Sequence, residues 1–111
     1  RHRMHDDPLI LTGLQDITTH VDFSAVAGSA RECGAGVLGY TTQANFLLGT
    51  GLIETLVNTV PGTRAHTELT AQVKRLTLPG EMGELVKVMA LSRNFDLRLT
   101  GFRERDLSRQ L

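Results

Sequence analysis

An α/β fold, forming the last part of a larger domain, is what this sequence predicts. Three observations lead there. Apolar residues change period along the chain in the order helix, strand, helices, strand. Only two runs have strand character, and two strands cannot bury both faces of a sheet. The missing strands are therefore expected from the rest of a longer chain or from a partner. The opening Arg1, His2, Arg3, Met4 and His5, with no initiator methionine and no signal, carry the same expectation.

The bulk numbers bound the function. There are 111 residues, 12 basic and 12 acidic, with 41% hydrophobic and 5% aromatic content and no tryptophan. That is a thin core for an independent domain. Balanced charge, without a basic patch or aromatic-interleaved Lys/Arg run, argues against nucleic acid. No apolar run approaches the roughly 20 residues a membrane span needs, so no membrane partner is expected. Cys33 is the only cysteine, which excludes an internal disulfide and suits a reducing, cytoplasmic compartment.

Residues 1–15 lack periodicity apart from Leu9, Ile10 and Leu11, giving a loop with one brief extended piece between Pro8 and Gly13. Asp22 is placed to cap a helix on which Phe23, Val26, Ala27, Ala30 and Cys33 share a face, with Gly34 as its stop. Ala35 to Thr41 is a buried strand. Thr41 or Thr42 can cap a helix from Gln43 to about Leu48, turning Phe46 and Leu47 inward. Gly49 and Gly51 break that helix, and helical spacing resumes from Leu52 to Val60, ended by Pro61 and Gly62. A further helix runs from about Ala65 to Leu76. After the turn Pro79 to Gly83, Leu85 to Leu91 forms the second strand. Leu97 and Leu99 could extend as an edge, and Glu104 to Leu111 is expected to fray.

Each chemical constellation has a structural alternative. His2 and His5 beside Asp6 and Asp7 have metal-like spacing, but Pro8 and the missing third ligand favour a solvated loop, so no metal is expected. Neither Ser24 nor Cys33 sits in a nucleophile elbow, and Cys33 reads as a small core residue. No GxGxxG follows a strand, so any nucleotide-type cofactor must be held by other residues. Asp16, Asp22, Glu81 and Glu84 each stand next to a turn. Such acids cap helices, or they hold a cation; a guanidinium suits a carboxylate because two parallel hydrogen bonds match its fork.

The blocks RHRMHDDP, GLQDITTHVDF, GYTTQANFLLGTGL and LTLPGEMGELVKVMALSR, in that order, resemble the C-terminal section of the MidA family of class I S-adenosylmethionine-dependent methyltransferases. One branch of that family modifies protein arginine. The resemblance implies a seven-strand, Rossmann-like fold whose cofactor loop and first five strands precede Arg1. Residues 1–22 would be the connection after strand five, 23–41 a helix and strand six, 42–78 a helical insertion, and 79–111 strand seven and the tail. It further implies S-adenosylmethionine as cofactor, bound mainly by upstream residues, and methyl transfer to a guanidinium of a protein substrate. His5, Asp16, Asp22, Gln43 and Glu81 would line the substrate pocket, with no catalytic residue assigned. The segment alone would be inactive. A reading of a different class makes the insertion a non-catalytic interaction or assembly module, including a homodimer contact, because its amphipathic helices could grip a partner.

Overall fold

The computed structural model describes residue 7, residues 9–10, residues 12–14 and residues 20–111. Its first helix is set by a single carboxylate. Asp22 lies in the extended region, and its Oδ1 accepts the Ala25 amide at 2.9 Å, satisfying one of the amides that a helix start leaves without a partner. Helix α1 then runs over Phe23–Glu32, and Gly34 follows with φ of +74°, the left-handed conformation that ends helices. Ala27 and Ala30 form its buried face.

Strand β1, Gly36–Thr42, pairs antiparallel with β2, Lys87–Ser92, in register from Gly36 opposite Ser92 to Thr42 opposite Lys87. The ladder is irregular between Val37 and Gly39, where Leu38 is the extra residue. Among the described residues these two strands make the sheet.

Thr42 ends β1 and caps α2, Gln43–Gly49, by accepting the Asn45 amide. Gly51, at φ of +96°, turns the chain into α3, Leu52–Val57. Thr63 caps α4, Arg64–Thr77, whose Val73 is buried. Helix α3 is shorter than its spacing predicts. The Thr59 hydroxyl donates to Leu56 O at 2.7 Å and meets His66 Nδ1 at 2.7 Å, so side chains close the turn before Val60.

The core joins α2, β1 and a 3₁₀ turn at Thr100–Phe102. Phe46 and Phe102 meet edge to face, ring centroids 5.6 Å apart, a favoured aromatic arrangement. Each ring occupies the space a glycine leaves. A Cβ on Gly39 would lie 2.6 Å from Phe102 Cδ1, and one on Gly101 would lie 2.5 Å from Phe46 Cδ2. Gly49 comes equally close to the tail, since a Cβ there would stand 2.7 Å from Thr100 O. Thr41, fully buried in the same strand, carries a hydroxyl without a hydrogen-bond partner.

Four expectations are corrected. Leu9 and Ile10 lie in a turn, where Asp7 Oδ1 accepts the Leu9 amide and Leu9 O accepts the Thr12 hydroxyl, so the N-terminal piece is not extended there. The second strand starts two residues late, because the Val86 amide bonds Met82 O and the Val86 carbonyl accepts the Gln43 amide; Leu85 is 74% exposed. Cys33 is exposed rather than in the core, and Val26 is 38% exposed, because the described elements leave that side of α1 as an open hollow that Leu91 of β2 only borders. The tail neither extends as an edge at Leu97 and Leu99 nor frays. It forms 3₁₀ turns at Thr100–Phe102 and Ser108–Gln110 and is bonded to β1.

If the interlock supports the fold, Gly39→Ala lowers stability by about 1–3 kcal/mol through overpacking. Chemical denaturation of G39A, F102A and the double variant checks it. The expected coupling exceeds about 0.5 kcal/mol, and simple additivity would contradict the interlock.

Candidate functional site

The sequence-derived site residues fall into three groups. His5 and Asp16 lie outside the described residues. Asp22 and Gln43 stand at the same end of the sheet, the carboxyl end of β1. Phe23, next to Asp22, places its ring 5.0 Å from that of Tyr40 near the end of the strand, and Gln43 follows the strand directly. In open α/β sheets the carboxyl ends of strands are where ligands meet the protein. Glu81 is exposed, in the turn between α4 and β2.

Gln43, with the residue after it, is committed to the scaffold through three bonds. Its Nε2 donates to Leu76 O at 2.9 Å, its own amide donates to Val86 O at 2.9 Å, and the following Ala44 amide donates to Gly83 O at 3.0 Å. The start of α2 thus clasps residues 76–86 and brings the turn bearing Glu81 beside Gln43. That turn is closed by the Glu81 and Gly83 amides, both donating to Leu78 O. Asp22 is likewise engaged as a cap, but it is exposed, and a carboxylate has more acceptor sites than the Ala25 amide uses.

Sequence reasoning missed a fourth group at this end. Asp106 Oδ1 accepts the Tyr40 amide at 3.2 Å and the Ser108 amide at 2.9 Å, and the Leu107 amide donates to Tyr40 O at 2.7 Å. The tail therefore closes both outward-facing backbone groups of Tyr40. Asp106 followed by Ser108 is a recognisable Asx-turn pattern, which could have announced the turn but not its partner 66 residues away. Partial burial pushes the Asp106 carboxyl up, but hydrogen bonds from Ser108 and Tyr40, with the Arg109 charge, outweigh it and hold it below the ordinary aspartate range.

Among the described residues no group of His, Cys, Asp and Glu could hold a metal, and no helix is long and apolar enough to cross a membrane. Among the described residues the direct strand-to-helix turn, Thr42 to Gln43, has no glycine, and Gly49 is filled by the tail backbone.

A family model described as "Putative S-adenosyl-L-methionine-dependent methyltransferase" matches residues 1–41. The chain is 46% identical, with a TM-score of 0.86, to a Burkholderia thailandensis protein described as a COG1565 superfamily member and "likely methyl transferase", crystallised with S-adenosyl-homocysteine. It is 44% identical, with a TM-score of 0.88, to a native crystal structure of a COG1565 superfamily protein from the same organism. These likenesses cover 100% and 99% of this chain but only 29% and 30% of the two proteins. No curated protein matches. The chain is thus similar over its whole length to part of two COG1565 superfamily proteins. The mixed α/β structure with its two-stranded sheet is consistent with part of a methyltransferase fold.

Two outcomes follow from the site geometry. Asp22→Ala should lower stability by about 1 kcal/mol through loss of the cap, and Asp22→Asn should keep it within a few tenths, as read by thermal denaturation. Because the folded Asp106 carboxyl titrates below its unfolded value, its stabilising effect is present above the ordinary aspartate range. That effect is lost as pH falls through the lowered value. Wild type and Asp106→Asn compared by denaturation across acid pH should differ most near neutrality and converge in strong acid.

Proposed function

We propose that these residues form the C-terminal, substrate-side portion of an S-adenosylmethionine-dependent methyltransferase of the MidA family, acting on arginine in a partner protein. The observation that carries the reading is the likeness over the full chain to a protein crystallised with S-adenosyl-homocysteine. In this reading β1 and β2 are strands six and seven, and residues 42–78 are an insertion. In the same reading the cofactor is held mainly by residues preceding Arg1.

The part left to this chain is the acceptor. Asp22, fixed by its helix, would accept two hydrogen bonds from a guanidinium, and His5 and Asp16 are proposed for the same acceptor pocket. Gln43 and Glu81 would form the wall made by the α4–β2 turn. A carboxylate that is already oriented costs the complex less ordering and binds arginine through its planar fork. Burial of the acceptor against the rest of the protein would strengthen the pair by excluding water.

A second reading rests on a different observation. Ile53 and Val57, one turn apart on α3, and Val60 beyond its end are 46%, 73% and 68% exposed. Leu52, Leu56 and Leu69 are instead half-buried within the chain. The outward apolar residues suit a homodimer contact through the insertion.

The test uses the intact protein with labelled S-adenosylmethionine and arginine-rich protein acceptors, followed by mass spectrometry. Expected are methylarginine in the acceptor and a raised acceptor KM in Asp22→Asn at unchanged melting temperature. Calorimetry on residues 1–111 alone should show no cofactor binding; clear binding would overturn the division of labour proposed here.

A further inference from the structure

The tail, β1 and the start of α1 form one chain of contacts. Asp106 and Leu107 take both outward backbone groups of Tyr40, at 3.2 and 2.7 Å. The Tyr40 ring lies 5.0 Å from that of Phe23, tilted by 45°. Phe23 is the first residue of α1, and Asp22 before it holds the Ala25 amide.

An outer strand edge leaves its N–H and C=O groups to water, where they impose no fixed geometry. Here both groups at one residue are used, and one of them is met by a carboxylate. A charge-assisted bond of this kind holds more firmly than a neutral one. The carboxylate is itself steadied by the Ser108 amide at 2.9 Å. The tail is in turn anchored by Phe102, 8% exposed, in the glycine-lined slot of β1. Tyr40 is therefore gripped from a segment that itself cannot shift freely, and its ring is a firm support for Phe23.

We propose that Asp106 is a positioning residue for the acceptor site. It fixes the Tyr40 backbone, Tyr40 fixes Phe23, and Phe23 sets the position and order of the α1 start that carries Asp22. This rests on the reading of Asp22 as an acceptor-binding group. The tail is then a working part of the site, although it touches no acceptor itself.

Both bonds to Asp106 end on the same oxygen, so asparagine can accept them through its carbonyl whereas alanine cannot. The experiment compares Asp106→Ala and Asp106→Asn in the intact protein by hydrogen exchange resolved at single amides, with acceptor kinetics alongside. Asp106→Ala should speed exchange roughly three- to tenfold at Tyr40 and also at Ala25, the amide that reports the Asp22 cap, leaving the β1–β2 ladder protected. It should raise acceptor KM severalfold at unchanged kcat, and Asp106→Asn, which keeps the acceptor oxygen without the charge, should restore both in large part. Faster exchange confined to Tyr40 would overturn the proposal, because the tail would then only cover a strand edge. A changed kcat with unchanged KM would overturn it too. The Ala25 exchange does not depend on methyl transfer, so an inactive wild type with coupled exchange would fail the methyltransferase reading while leaving the mechanical link established.

Discussion

The close approach of two phenylalanine rings to two glycines is the constraint on which the structure depends. Phe102 lies against Gly39 on β1, Phe46 against Gly101 in the tail, and the rings meet edge to face. Few side chains are fully buried, so this contact carries an unusual share of the core. Besides Phe102, the buried apolar residues among those described are Ala27, Ala30 and Val73. With so thin a core, a methyl group inserted at either glycine has little room to be absorbed elsewhere. The same contact sets the path of the chain. It brings residues 100–102 back over α2 and β1, and from there residues 106–107 reach the outer edge of β1.

Much of this was readable in the sequence where a local rule decides the outcome. Asp22 before an apolar face and Gly34 after it mark α1 to within a residue. The threonine before Gln43 marks the start of α2, and Gly49 and Gly51 mark its end. What could not be read depended on distant partners. The start of β2 is moved because the Val86 carbonyl is taken by Gln43, 43 positions earlier in the sequence. The tail is ordered because Asp106 finds Tyr40, and nothing in the charged run Arg103, Glu104, Arg105 announces a strand edge as its partner. Cys33 and Val26 fell on the predicted apolar face, but periodicity states which residues share a face and not whether anything covers it.

The candidate site is legible to a similar degree. Asp22 was identified from its place before a helix, and the structure confirms the cap. The side-chain bond of Gln43 to the end of α4 was not foreseeable, since glutamine at a helix start gives no sign of a partner on another helix. That bond changes the meaning of the residue. A Gln43 held at both backbone and side chain is an anchor for the α4–β2 turn, and it sets where Glu81 stands.

The uncovered surfaces are as informative as the core. Val26 and Leu91 are 38% and 44% exposed and border a shallow apolar hollow with Ala25, Ala30 and Cys33. On the sheet, the tail closes the outer edge of β1, while among the described elements β2 pairs only with β1. One edge is therefore capped by a carboxylate and an amide, and the other meets no further strand among the described residues. Among the described residues the two edges of the sheet are thus treated differently, beside an apolar helix face. The proposed reading accounts for it. Further strands of a methyltransferase sheet would pair along β2 and cover Val26 and Leu91. The capped edge of β1 would then be the true boundary of the sheet, and the tail that caps it would hold the acceptor side of the site in register with the rest.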